Sequence, residues 1–148
     1  MANPLVAQGT LNRLKASVTL PSNSALNITS AYMSKRFVTV TFDGNFDNLI
    51  PTATGAVTSP EPYVMATVTV GLLRTQSLAA AWQNQALTLS DIGDVSIFPD
   101  VPTSTFKEID LTNCIIRHMD PGPYDGTNPE VTLIIEGVYY INSNLWTV

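Results

Sequence analysis

Apolar and polar residues alternate with a period of two along most of the chain. Leu14, Ala16, Val18 and Leu20 alternate with Lys15, Ser17 and Thr19, until Pro21 to Ser24 breaks the run. Ala25 to Thr29 reads as a short second strand. In Arg36 to Asp43, Val38, Val40 and Phe42 oppose Thr39 and Thr41. The longest case is Tyr63 to Leu73, where Val64, Ala66, Val68, Val70 and Leu72 share one face and Thr67 and Thr69 the other. Asp94 to Phe98, Lys107 to His118 and Val131 to Asn142 complete the predicted strands. Alternation with one polar face points to antiparallel sheets rather than to parallel sheets buried on both sides. One segment, about 75–89, departs from this period. Leu78, Ala81, Trp82, Gln85, Ala86 and Leu89 follow helical spacing, and Ala79 to Ala81 add helix propensity. Thr75 or Ser77 is the expected cap, with Gly93 just past the end. Trp82 is the expected anchor on the sheet, with Leu78, Ala86 and Leu89 beside it.

Two connections stand apart. Gly44 to Pro62 is longer than the ~12–15 residues usual for loops in compact domains. It is too apolar for a disordered linker, since it carries Phe46, Leu49, Ile50, Ala53, Ala56 and Val57. An apolar arm leaving a domain needs a partner surface to cover it, and Thr52 to Thr58 has the composition of a small hairpin. The second connection, Asp120 to Glu130, is built from turn residues. No repeat or composition shift divides the chain, so residues 1–148 are predicted to form one domain, a size that buries a core without disulfides or metals.

Charge narrows the functions. Seven Lys and Arg against twelve Asp and Glu give a net charge of -5, and charged residues are only 13% of the chain. An acidic, sparsely charged surface repels nucleic-acid phosphate. The charge is also polarised. Residues 1–36 carry Arg13, Lys15, Lys35 and Arg36 and no acid, whereas residues 37–148 carry all twelve acids against Arg74, Lys107 and Arg117. Such a molecule has a basic part that suits the acidic part of a neighbouring copy, in the head-to-tail contact that builds rings or stacks. The first residues lack the charged and apolar regions of a signal peptide, and no stretch reaches the ~18 apolar residues of a membrane helix.

Chemistry is sparse. With one cysteine, Cys114, and one histidine, His118, the chain can form neither an intrachain disulfide nor a site that needs two histidines. On a regular strand the two share a face about 13 Å apart, too far for nucleophile and base. Zinc lacks ligands. Asp120, Asp125 and Glu130 do not have calcium-loop spacing. Glu108 and Asp110 share a strand face, which reads as a solvated surface rather than a catalytic pair. No enzyme, cofactor or metal site is predicted.

Three stretches resemble the tail tube proteins of contractile-tailed bacteriophages: the opening MANPLVAQGTLNRL (Met1 to Leu14), the middle PEPYVMATVTVGLLRTQSL (Pro60 to Leu78), and the close GVYYINSNLW (Gly137 to Trp146). The resemblance implies a mainly β fold, an antiparallel β-sandwich or barrel with one flanking α-helix and a long protruding loop. It implies hexameric rings stacked head to tail into an inner tube of the virion tail. Such a tube is assembled in the host bacterial cytoplasm, with tail sheath, baseplate and tail terminator proteins as partners and no membrane. Phage DNA passes through the channel without specific binding. In this picture Phe46, Leu49, Ile50 and Val57 form the inter-ring stacking arm. A wall that must not retain DNA is expected to be polar, with acids in excess, so Thr39, Thr41, Thr67, Thr69, Glu108, Asp110 and Glu136 are candidate lumen residues. Arg13, Lys15, Lys35 and Arg36 are candidate subunit contacts. The alternatives are a tube-like baseplate or terminator component, or a β-sandwich binding module for a carbohydrate or host receptor. The binding module would use Tyr124, Tyr139, Tyr140 and Trp146. Adjacent Tyr139 and Tyr140 point to opposite sides of a strand and cannot form one platform.

Overall fold

The period-two stretches become strands, and the long ones pair with each other. The computed structural model describes residues 16–98, 108–122 and 124–147. Among these, the strands are β1 (Ser17–Thr19), β2 (Met33–Asp43), β3 (Asp47–Pro51), β4 (Ala56–Pro60), β5 (Tyr63–Leu73), β6 (Asp91–Phe98), β7 (Ile109–Asp120) and β8 (Glu130–Tyr140). One helix, α1 (Ser77–Thr88), connects β5 to β6. Six strands form one curled antiparallel sheet in the order β1-β6-β7-β8-β5-β2, while β3 and β4 pair only with each other. The mainly β, antiparallel fold with one helix is therefore as expected. β5 and β8 are its spine, in unbroken register from Tyr63 opposite Tyr140 to Leu73 opposite Glu130.

The inner face holds the core. Val64, Ala66, Val68, Val70 and Leu72 of β5 are all buried, beside Val131, Leu133 and Ile135 of β8 and Leu111, Cys114 and Ile116 of β7. Burying each large aliphatic side chain stabilises the fold by about 1.5–3 kcal/mol relative to leaving it in water. Gly137 lets β7 pack closely on β8, because a Cβ there would lie 2.5 Å from the Cys114 sulfur. Helix α1 closes the core by inserting Trp82, fully buried, with Leu78 and Ala79.

Some details differ from the expectation. Ala25 to Thr29 is not a strand: Ser24–Leu26 forms a 3-10 turn, and only Ile28 pairs, through two backbone bonds with Val18 of 2.9 and 2.8 Å. Neither Thr75 nor Ser77 caps α1; the cap position is Gln76, whose side chain makes no cap bond. The helix ends at Leu89 as expected, but Gly93 plays no part in stopping it and lies within β6 at φ 75 beside a register shift. There the chain turns extended (Leu89 φ -159), and the Gln85 amide donates to the Leu89 carbonyl at 2.9 Å. Leu89 consequently points away from Trp82 and is exposed. Last, the stretch 44–62 is a regular hairpin over most of its length, with five paired positions from Asp47 opposite Pro60 to Pro51 opposite Ala56. Two adjacent short strands were masked in the sequence by the prolines at their ends.

Candidate functional site

Because β2, β5, β8 and β7 pair side by side, the residues that point away from the core form continuous rungs. Thr39, Thr69, Ile134 and His118 occupy one rung, and Thr41, Thr67, Glu136 and Ile115 the next. Asp110 faces the same side from β7 opposite Ser96, whose hydroxyl donates to its carboxylate at 2.8 Å. Glu108, just before β7, hydrogen-bonds to Asp110. Six of the seven candidate lumen residues thus share the outer face of one sheet, and Glu108 lies just before its strand β7.

Charges on this face are arranged in pairs. Asp43 accepts a bond from Thr67 at 2.9 Å. Glu136 meets Arg117 at 3.5 Å, and Glu130 meets Arg36 at 3.0 Å. Arg36 also reaches Thr132 at 3.5 Å, so this candidate contact residue belongs to the outer face and is held by its own chain. Lys35 is exposed, whereas Arg13 and Lys15 lie outside the described residues. Glu108 and Asp110 share a proton-dependent contact: the hydrogen bond to Asp110, and then its charge, raise the Glu108 carboxyl above its ordinary value.

The hairpin projects beyond the sheet. Leu49 is 72% exposed, Val57 53% and Ile50 50%, so apolar surface lies open on both sides of a two-stranded unit that is marginal in water on its own. Phe46 differs from these three. It packs edge-on against Phe42 at 5.8 Å, which seats it at the hairpin base. The base is fastened by the C-terminal segment. Asn142, in the left-handed region at φ 48, donates through Nδ2 to the carbonyls of Phe46 (3.1 Å) and Glu61 (2.7 Å). The Trp146 indole N–H donates to Pro62 at 3.3 Å. Nothing in the sequence marked Asn142, because a polar residue after a strand is unremarkable without its two acceptors in view.

Other candidates do not converge on chemistry. Two register shifts in β7, with Asn113 at φ 50, put Cys114 in the core and His118 in solvent. The expectation that they share a face fails, because each extra residue reverses the alternation. Burial pushes the Cys114 thiol up to about 12. Asp125 accepts from the Thr127 amide and hydroxyl, which lowers its carboxyl below the ordinary value, so the 120–130 connection is an Asx turn. Among the described residues no three His, Cys, Asp or Glu side chains gather as a metal site, and no helix is long and apolar enough to cross a membrane. Tyr140 and Trp146 meet edge to face at 85° and Tyr139 packs inward on Phe42, so these aromatics make no flat platform.

The candidate residues thus gather on two surfaces, the outer sheet face and the projecting hairpin, and one solved structure shares the fold that carries them. The fold resembles that of a phage-type tube cap. It is similar to the cryo-EM structure of the anti-feeding prophage cap, described as the tube terminating cap, with a TM-score of 0.52, 14% sequence identity, and coverage of 94% of this chain and 97% of that one. No family model and no curated protein matches the sequence. The two chains share a fold over most of their length, with most side chains different.

Proposed function

We propose that the protein is a structural subunit of a phage-type tail, assembling into hexameric rings that stack into the tube through which DNA leaves the particle. The observation that carries this reading is the division of the exposed surface. One sheet face carries Thr39, Thr41, Thr67, Thr69, Asp110 and Glu136, while a hairpin projecting at one end holds Leu49, Ile50 and Val57 uncovered. A channel wall and a stacking arm need these two properties respectively. The full-length likeness to a tube cap supports the same class of assembly. It also favours one second reading, a terminal ring that ends a tube instead of repeating along it.

Negative-stain microscopy of the purified full chain tests both. Stacks of many rings are expected from a repeating subunit, and isolated rings from a terminal one. A protein that stays monomeric at high concentration, across salt and pH, overturns the assembly reading.

A further inference from the structure

The hairpin needs a receiving surface, and the molecule carries one at its other end. A groove of about 360 Å³ runs between α1 and the end of the sheet, lined by Ala80, Ala86 and Leu87 of the helix and by Met119 and Val131. We propose that this groove receives the tip of the β3–β4 hairpin from a second copy stacked on it. The assignment rests on the tube reading above and names the surface that tube contact uses.

Helix α1 is apolar on two sides. Leu78 and Trp82 enter the core, while Ala80, Ala86 and Leu87 line the groove, and Leu87 is 79% exposed. A surface helix packed on one sheet needs only the first stripe. The far wall is held open by Arg74, whose guanidinium donates to the carbonyls of Asp125 (3.2 Å) and Asn128 (2.7 Å) and lies 5.5 Å from the Tyr124 ring centre. Arg74 is thus committed to shaping the wall, and the lining that remains is apolar except for the uncharged side chains Gln76 and Gln83. The hairpin matches it in kind, since residues 48–60 contain no charged side chain.

Topology makes the partner a second copy. The hairpin joins the end of β2 to the start of β5, whereas the groove lies where β5 ends, β7 ends and β8 begins. The eleven residues of β5 separate the two by about 35 Å. A chain's own hairpin therefore cannot reach its own groove, and a donor and acceptor on opposite ends make a head-to-tail contact that repeats. Other parts of the same chain begin far away as well. Of the residues that bound the described stretches, Ala16, Phe98, Glu108 and Thr147 lie at the hairpin end, since Ser17 pairs with Phe98, Ile97 with Ile109, and Trp146 bonds Pro62, while Gly122 and Tyr124 flank a single residue beside the groove.

Disulfide trapping tests the contact. Ile50→Cys and Leu87→Cys are both exposed positions, and the natural Cys114 is buried and does not compete. Each variant alone should give no ladder on mild oxidation; the double variant should give covalent dimers and higher multimers, and the mixed singles covalent dimers. Independently, Ala80→Trp, which fills the groove from its solvent side, should leave rings but remove stacks. Stacks that form without the cross-link, or that survive Ala80→Trp, overturn the groove assignment and leave the tube reading standing. If the unmodified chain forms no rings at all, the tube reading falls and the groove assignment with it.

Discussion

Trp82 is the largest side chain the fold removes completely from water, and its indole N–H has no partner among the described residues. Trp82→Ala should lower stability by ~3–5 kcal/mol, because it opens a cavity between helix and sheet. Trp82→Phe should cost distinctly less, since it keeps most of the contact area and removes an unpaired donor. Urea unfolding of the three proteins measures both; equal losses would mean that the cavity does not control stability here. Cys114 offers a second residue-scale test. Its folded-state value is raised, so the neutral buried thiol contributes stability below the ordinary thiol range, and that contribution is lost as pH rises through about 12. At pH 8 the native protein should resist iodoacetamide and should react only when unfolded. Glu108 titrates in the same sense for another reason. Its raised value reflects a shared proton with Asp110, so the pair is most favourable when partly protonated at acid pH and becomes repulsive as pH rises through the raised value. Asp110→Asn should bring the Glu108 titration back down, as read by carboxyl NMR shifts.

At the scale of elements, the hairpin is held in direction by a few bonds at its base. Asn142→Ala removes two donors, from the Phe46 and Glu61 carbonyls, and places alanine at a left-handed φ. A loss of about 1–2 kcal/mol is expected. Hydrogen exchange across β3 and β4 should quicken while the β5–β8 register stays protected. Uniform acceleration would show instead that Asn142 supports the whole sheet. The elements were legible where a long alternation stayed in phase: β5, β8 and the second half of β2 follow directly from Val, Ala and Thr in turn. Bulges were not legible. Phe37 at φ 54 and Asn113 at φ 50 sit at or beside extra residues that reverse the inside–outside pattern, and hydropathy does not count them. The second face of α1 was hidden for a different reason. Ala79 to Ala81 read as helix propensity, and only the folded position of β7 and the 120–130 turn shows that some of these alanines border a groove.

At the scale of the whole molecule, the tube proposal makes the outer sheet face the surface that DNA would meet. Asp43, Asp110 and Glu136 lie there with Glu108 just before β7, and Arg117 and Arg36 are each engaged with a carboxylate. One copy of such a face repels phosphate weakly, because mobile salt screens exposed charges within about 8–10 Å. Around a ring and along a tube, the same acids recur at close spacing, and their fields add inside a confined channel. The neighbouring carboxylates offset the charge that Arg36 and Arg117 present to phosphate. Assembled protein should therefore retain no double-stranded DNA even at low salt. Reversing Glu108 and Asp110 together to lysine leaves the Glu136–Arg117 pair intact and replaces two negative charges per subunit by two positive ones. This double variant should retain DNA at about 50 mM salt and release it steeply towards 200 mM, the signature of counterion release from many phosphate contacts. Filter retention across that salt range measures it. Retention by the unaltered assembly would show that the acidic face is not what DNA meets, and would place the channel wall on another surface of the subunit.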